Sequence, residues 1–224
     1  MKIKTPITGK RLRTHFTYFF WAYILVFVGS VFLWDLLYAM TAYRSPEDKR
    51  IDVYIQNPLV SQERAEAYFK PIWEETAPDV EVVDAVIMSS STQEYYGAMQ
   101  LTVYIMAQEG DIYILSSSDY KSFASQGVFL DLQPAVDDGR LNVEGIDLAA
   151  GFVAAVDEDG VPSGERKLFG IPAAALTGFK DALNMDPRDM VIAITVYNGT
   201  DENVIKFANG LIQAGRGESV DGLN

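Results

Sequence analysis

The chain has 224 residues, a net charge of −13, 49% hydrophobic residues and no cysteine. That apolar content permits a packed core and excludes global disorder, and the length fits one domain plus an appendage. The acidity excludes nucleic acid as a partner, since phosphate needs a basic face; the lack of cysteine excludes disulfides, thiolate metal sites, cysteine nucleophiles and a lipoprotein-type lipid anchor.

Residues 1–15 are a basic tail with Lys2, Lys4, Lys10, Arg11 and Arg13 and no acid. The uncharged run FTYFFWAYILVFVGSVFLW, residues 16–34, follows. As a helix it spans about 28 Å, close to the hydrocarbon thickness of a bilayer. Phe16, Tyr18 and Trp21 at one end, and Trp34 and Tyr38 at the other, are placed as two interfacial aromatic belts. The rest of the chain holds 13 basic and 31 acidic residues, a net of −18. The positive-inside rule then predicts a cytoplasmic N-terminus, a single-pass signal anchor over residues 16–40 and an extracytoplasmic C-terminal domain in the cell membrane. The rival reading is a cleaved signal peptide, but the apolar core is long for one and LLYAMTAYRS offers a poor small-x-small site. Asp35 reads as a headgroup-level carboxylate or as an intramembrane contact with a partner helix.

Residues 41–50 are a polar linker reaching at most ~33 Å, which keeps the domain close to the membrane. IDVYIQNP, residues 51–58, reads as a strand closed by Asn57-Pro58. From Ser61 the spacing of Ala65, Phe69, Ile72 and Trp73, with Tyr68 beside them, predicts an amphipathic helix. Glu63 favours its first turn and Pro71 is expected to kink or tighten it. APDVEVVDAVIM gives a second strand with Val80, Val82, Val83 and Val86 as candidate inward residues. TQEYYGAMQLTVYIMAQEG is apolar on nearly all sides, which predicts a mostly buried helix ended by Gly110 as C-cap.

GDIYILSSSDYKSFASQG supplies a third strand, a polar cluster and a short helix with Tyr120, Phe123 and Ala124 inward. A continuous apolar run of this kind suits a central parallel strand covered on both faces. VFLDLQP reads as an edge or turn. Beyond Pro134 come loops with helical pieces around residues 148–156, then a strand with a proline break in KLFGIPAAAL. A clear strand follows over residues 190–197, then a last helix with Val204, Phe207, Ala208, Leu211 and Ile212 inward, and a polar tail over residues 215–224. The β-α-β-α-β-α order specifies an α/β fold, a three-layer αβα domain over residues 51–214 with a mainly parallel sheet. Ligands of such sheets bind beyond the carboxyl ends of the strands. Asn57, Ser89, Ser90, Ser91, Ser116, Ser117, Ser118 and Asp119 fall there and form the candidate ligand site. Ser118 or Asp119 also has a plain reading as a helix N-cap.

Catalytic chemistry is poorly represented. The single histidine, His15, precedes the apolar run, so histidine triads and histidine-metal sites are excluded from the domain. Asp157, Glu158 and Asp159 start no EF-hand loop, because Leu168 stands where the twelfth-position acid belongs. No metal, cofactor or enzymatic activity is expected. Asn198-Gly-Thr matches a glycosylation sequon.

Several phrases occur in the order seen in one family. FKPIWEETAPDVEVV, DIYILSSSDYKSFASQGVFLDLQPAV, KLFGIPAA and DMVIAITVYNGTDENVIKFANGLIQ resemble the extracellular solute-binding proteins of ABC importers, in the sugar-binding class, over residues 50–214. The resemblance implies lobe one of a periplasmic-binding-protein fold. The family folds as two lobes that close on a solute, yet here only residues 177–189 separate FGIPAAAL from MVIAITV, so a second lobe is not expected. An anchor through the membrane also departs from the family. Two functions follow as expectations. One is an accessory or interaction subunit of a membrane complex, with an ABC-type transporter as partner. The other is a direct receptor for a carbohydrate or peptide, with Tyr95, Tyr96 and Tyr120 stacking on the ligand and a homodimer able to supply the missing wall.

Overall fold

The computed structural model describes residues 9–42, 45–88, 95–156, 162–197 and 202–217. The chain divides into two compact units, Met1–Arg44 and Ser45–Asn224. The first is one helix, α1 (Gly9–Thr41), within which Arg13–Thr41 is long and apolar enough to cross a membrane, with none of its apolar stretch buried inside the protein. The helix starts well before Phe16, so Arg11, Arg13 and His15 belong to it rather than to a tail. Three of its hydroxyls are satisfied locally: Thr17 donates to the Arg13 carbonyl, Ser30 to Phe27 and Thr41 to Leu37. Such back-bonding is what a polar side chain in an apolar helix requires.

In the second unit β1 (Arg50–Ile55), β2 (Val82–Ile87) and β3 (Ile112–Ser116) are linked by α2 (Gln62–Thr76) and α3 (Tyr95–Met106). After α4 (Ser117–Ser125) and α5 (Gln133–Asp137) come the hairpin strands β4 (Phe152–Val156) and β5 (Pro162–Leu168). Then follow β6 (Gly170–Pro172), α6 (Gly178–Leu183), β7 (Met190–Ile194) and α7 (Glu202–Arg216). The sheet order is β2-β1-β3-β7-β6. β1 runs parallel to β2 and β3, whereas β7 is antiparallel to both its neighbours. β3 is therefore central, as expected, but parallel on one side only. The connection from β6 to β7 leaves and re-enters at the same edge of the sheet, so β7 must run back. Pro172, which cannot donate to a ladder, lies on the edge strand β6.

Two apolar layers sandwich the sheet. Ala65, Phe69 and Ile72 of α2, Phe179 of α6 and Phe207 and Leu211 of α7 pack on one face against Ile51, Val53, Ile114 and Ile192. Leu101 and Ile105 of α3 and Tyr120 and Ala124 of α4 pack on the other against Tyr54, Tyr113, Leu115 and Val191. The α7 stripe is as expected, and also buries Ile205, Asn209 and Gln213.

Four expectations need correction. Val83 and Ala85 are the buried residues of β2, while Val82 and Val86 are only half-buried, because β2 is an edge strand. Residues 152–156 are not helical but pair with β5 in a hairpin. Among the described residues α3 is covered on one side only: Met99, Val103 and Met106 are exposed. It ends not at Gly110 but at Gln108, whose φ of 59° is left-handed. Gln108 N–H bonds the Ile105 carbonyl and Glu109 N–H the Tyr104 carbonyl, the two bonds of a Schellman cap. Gly110 serves packing instead: at φ 82°, a Cβ there would lie 2.5 Å from Tyr54 Cδ2. Since a side chain in the left-handed region costs about 1–2 kcal/mol, Gln108→Gly is expected to stabilise the unit by about 1 kcal/mol in a denaturant titration; a loss of stability would count against this cap.

Candidate functional site

The carboxyl ends of β1, β2 and β3 are level with one another. Ile55 aligns with Ile87 and with Ile114, and Met88 N–H donates to the Ile55 carbonyl. β7 starts at this edge, with Met190 opposite Ser116. Asn57 and residues 116–119 therefore leave the sheet at one edge, as the sequence led one to expect. Ser89, Ser90 and Ser91 lie outside the described residues, as do Asp157, Glu158, Asp159 and Asn198.

The cap of α4 is Ser116, not Ser118 or Asp119. Its Oγ accepts from Asp119 N–H at 3.3 Å and donates to Asp119 Oδ2 at 3.0 Å. Asp119 thus sits at the third helical position, held by the cap residue's hydroxyl while the Ser116 N–H is taken by another strand, and the helix dipole favours its charge there. The residue that locks this edge is Gln56, which sequence reasoning passed over. It is buried, and its amide is used at both ends: Oε1 accepts from Ser116 N–H at 2.9 Å, and Nε2 donates to Asp119 Oδ2 at 2.6 Å. A glutamine directly after a buried strand was the available signal, but its partners lie 60 and 63 residues away and become visible only with the β1–β3 register.

The other polar side chains are also engaged. Ser118 Oγ lies 3.1 Å from Ser116 Oγ, and Ser117 Oγ donates to the Asp189 carbonyl at 3.3 Å. Asn57 Oδ1 accepts from Leu59 N–H at 2.9 Å, closing an Asx turn after β1. Tyr120 cannot stack on a ligand: it is fully buried, stacked on Phe129, and its hydroxyl donates to the Gly151 carbonyl at 2.6 Å. The side chains of Tyr95 and Tyr96 lie outside the described residues. Among the described residues no group of three or more His, Asp or Glu side chains is placed to hold a metal ion.

At the same edge Arg188 Nε donates to both oxygens of Asp186, at 2.9 and 3.0 Å. These bonds hold the Asp186 carboxyl down at about 2. Being lowered in the folded state, it favours folding above the ordinary aspartate range, and that contribution is lost as the pH falls through about 2. Titration followed by carbon-detected NMR is expected to show this value, and Arg188→Ala to return Asp186 toward an ordinary aspartate; no change in the variant would sink the assignment.

A separate cavity of about 400 Å³ lies between the end of α2 and the first turns of α7. Its cations are already matched, Arg140 by Asp138 at 2.8 Å and Lys206 by Glu202 at 2.8 Å.

No protein-family model matches the sequence, and no curated protein matches it. Solved structures do. An extracellular solute-binding protein family 1 member from Alicyclobacillus acidocaldarius is 14% identical, with a TM-score of 0.40 over 60% of this chain and 33% of that one. An ABC substrate-binding protein from Listeria monocytogenes, in complex with cycloalternan, is 17% identical, with a TM-score of 0.39 over 54% and 28%. A probable secreted solute-binding lipoprotein from Streptomyces coelicolor is 18% identical, with a TM-score of 0.35 over 58% and 30%. The chain spans about a third of the length of these proteins.

Proposed function

We propose that the protein is a single lobe of the solute-binding-protein kind, anchored by α1 in the cell membrane with the 45–224 unit outside. It works as an accessory or interaction subunit of a membrane complex, with an ABC-type transporter as the partner class. The order of family-like phrases in the sequence supports the kind of lobe, and the apolar span Arg13–Thr41 supports the anchor. The observation that carries the interaction role is the state of the candidate cleft. A solute receptor keeps donors and acceptors free for its ligand. Here Gln56, Ser116 and Asp119 bond to one another, and Ser117 bonds to the Asp189 carbonyl. The passage from β6 to β7 holds only α6 and short turns, so no second lobe is inserted at that crossing.

Purification of the full chain from native membranes in mild detergent tests this. Co-purification with integral membrane transporter subunits is expected; recovery as a lone monomer would overturn it.

A second reading, direct binding of a carbohydrate or peptide, draws on Ser118, which is exposed, and on Asn57, which is half-buried and uses only its Oδ1. Calorimetry of the full chain against a panel of sugars and peptides separates the two. Affinity tighter than millimolar would favour the receptor, with a homodimer supplying the second wall.

A further inference from the structure

Helix α3 carries an outward face that the described residues leave uncovered. Gly97, Leu101 and Ile105 turn inward. Met99 and Val103 are each 56% exposed and Met106 is 78% exposed. Their spacing of four and three places them on one helical face. Elsewhere in the described part of the 45–224 unit, only Leu59 and Val196 are large, apolar and exposed. The stripe is also free of charge: no Asp, Glu, Lys or Arg occurs over residues 95–108, in a chain whose part beyond the basic tail carries a net −18. An apolar, uncharged stripe on an otherwise acidic surface marks a contact with something apolar.

We propose that this stripe seats on the lipid surface of the bilayer that α1 crosses. The proposal rests on the anchored reading of α1. Three observations favour lipid over a protein partner. The tether, residues 42–49, spans at most ~28 Å even when fully extended, which on the anchored reading keeps the bilayer within reach of the 45–224 unit. The segment that follows α3 lies beside β1: Tyr54 donates to Glu109, Asp52 N–H donates to Asp111 Oδ2 at 2.7 Å, and Asp111 N–H donates to the Asp52 carbonyl. The stripe is also small. Its three side chains expose on the order of 350 Å², under half of the ~800 Å² per partner of a standard protein interface. An interfacial helix needs only a shallow apolar face, and tethering raises its effective concentration at the surface. The lack of charge on the stripe suits zwitterionic headgroups, since the acidic unit is repelled by anionic ones.

The absence of cysteine makes single-site labelling unambiguous. The full chain is reconstituted in phosphatidylcholine vesicles containing both lipid with a doxyl label near the headgroup and lipid with one near the acyl-chain end. An environment-sensitive fluorophore is attached in turn to Met99→Cys, Val103→Cys, Met106→Cys, Lys121→Cys on the polar face of α4, and Leu25→Cys in α1. The three α3 probes are expected to be blue-shifted, quenched several-fold more by the doxyl lipid than the Lys121→Cys probe, and shielded from iodide. Quenching by iodide and not by lipid would overturn the proposal. Shielding from both would also overturn it, in favour of a second copy or another protein. If the Leu25→Cys probe escapes lipid quenching, the anchored reading fails and the proposal falls with it; quenching there without quenching on α3 removes the proposal alone. Adding Val103→Glu to Met106→Cys is expected to abolish the lipid quenching with far-ultraviolet circular dichroism unchanged; persistent quenching would sink the idea.

Discussion

Gln56→Leu is expected to cost about 2–4 kcal/mol of stability, far more than the change of one residue at a strand end ordinarily does. Leucine keeps most of the volume, so the loss reads the hydrogen bonds. Without the amide, Ser116 N–H loses its acceptor, and Asp119 Oδ2 loses the Gln56 donor beside the Ser116 hydroxyl. A buried polar group left without a partner costs about 1–3 kcal/mol, more when it is charged. Ser118→Ala, at an exposed residue, should stay within about 0.5 kcal/mol of the parent. Denaturant unfolding of the full chain in detergent, followed by near-ultraviolet circular dichroism, measures both. A Gln56→Leu loss below about 0.5 kcal/mol would mean that water readily replaces the amide. The edge would then be open to a solute after all, and the receptor reading would gain.

The interaction role turns on this distinction. Serine and aspartate at the carboxyl edge of a parallel sheet have the composition of a sugar site. In this protein they are spent on ending β3 and starting α4. The cluster Ser116 to Asp119 was legible as polar and as lying at the strand end, because the apolar run before it is continuous. That Ser116 rather than Ser118 is the cap was not legible. A helix boundary shifts by a residue or two with no change in pattern, and the residue that settles it, Gln56, arrives from another strand.

The same contrast holds across the fold. β1, β3 and β7 announce themselves by β-branched and aromatic runs, and α2 and α7 by apolar residues at helical spacing. The β4–β5 hairpin does not. FVAAV is short and alanine-rich, and PSGERKL is polar, so its pairing is a non-local fact without a local signature. α3 misleads in the opposite direction. Its residues are apolar all round, which ordinarily means cover all round, yet only the sheet side is covered within the described residues. Excess apolarity on a helix is a statement about its whole environment, of which the chain's own core is one part.

Gly151→Ala is expected to cost about 3 kcal/mol or more, the upper end for an overpacked site. Gly151 closes the turn before β4, where the hairpin meets the edge strand β6. A Cβ there would lie 2.1 Å from the Gly170 carbonyl oxygen and 2.9 Å from Leu168 Cδ1. The first of these is backbone in a paired strand and cannot rotate away. The Gly151 carbonyl accepts from both Tyr120 O–H at 2.6 Å and Phe169 N–H at 3.1 Å, so any shift that relieves the clash also loosens two buried bonds. Tyr120→Phe separates the contributions. It removes one of those bonds and no packing, and should cost only about 1 kcal/mol. Parallel denaturant titrations read the pair. A Gly151→Ala variant within about 1 kcal/mol of the parent would mean that the hairpin does not dock on β6 at this distance. Because β4 packs on α4, the helix that Ser116 caps, such a result would also weaken the account of the carboxyl edge as a rigid, self-satisfied surface.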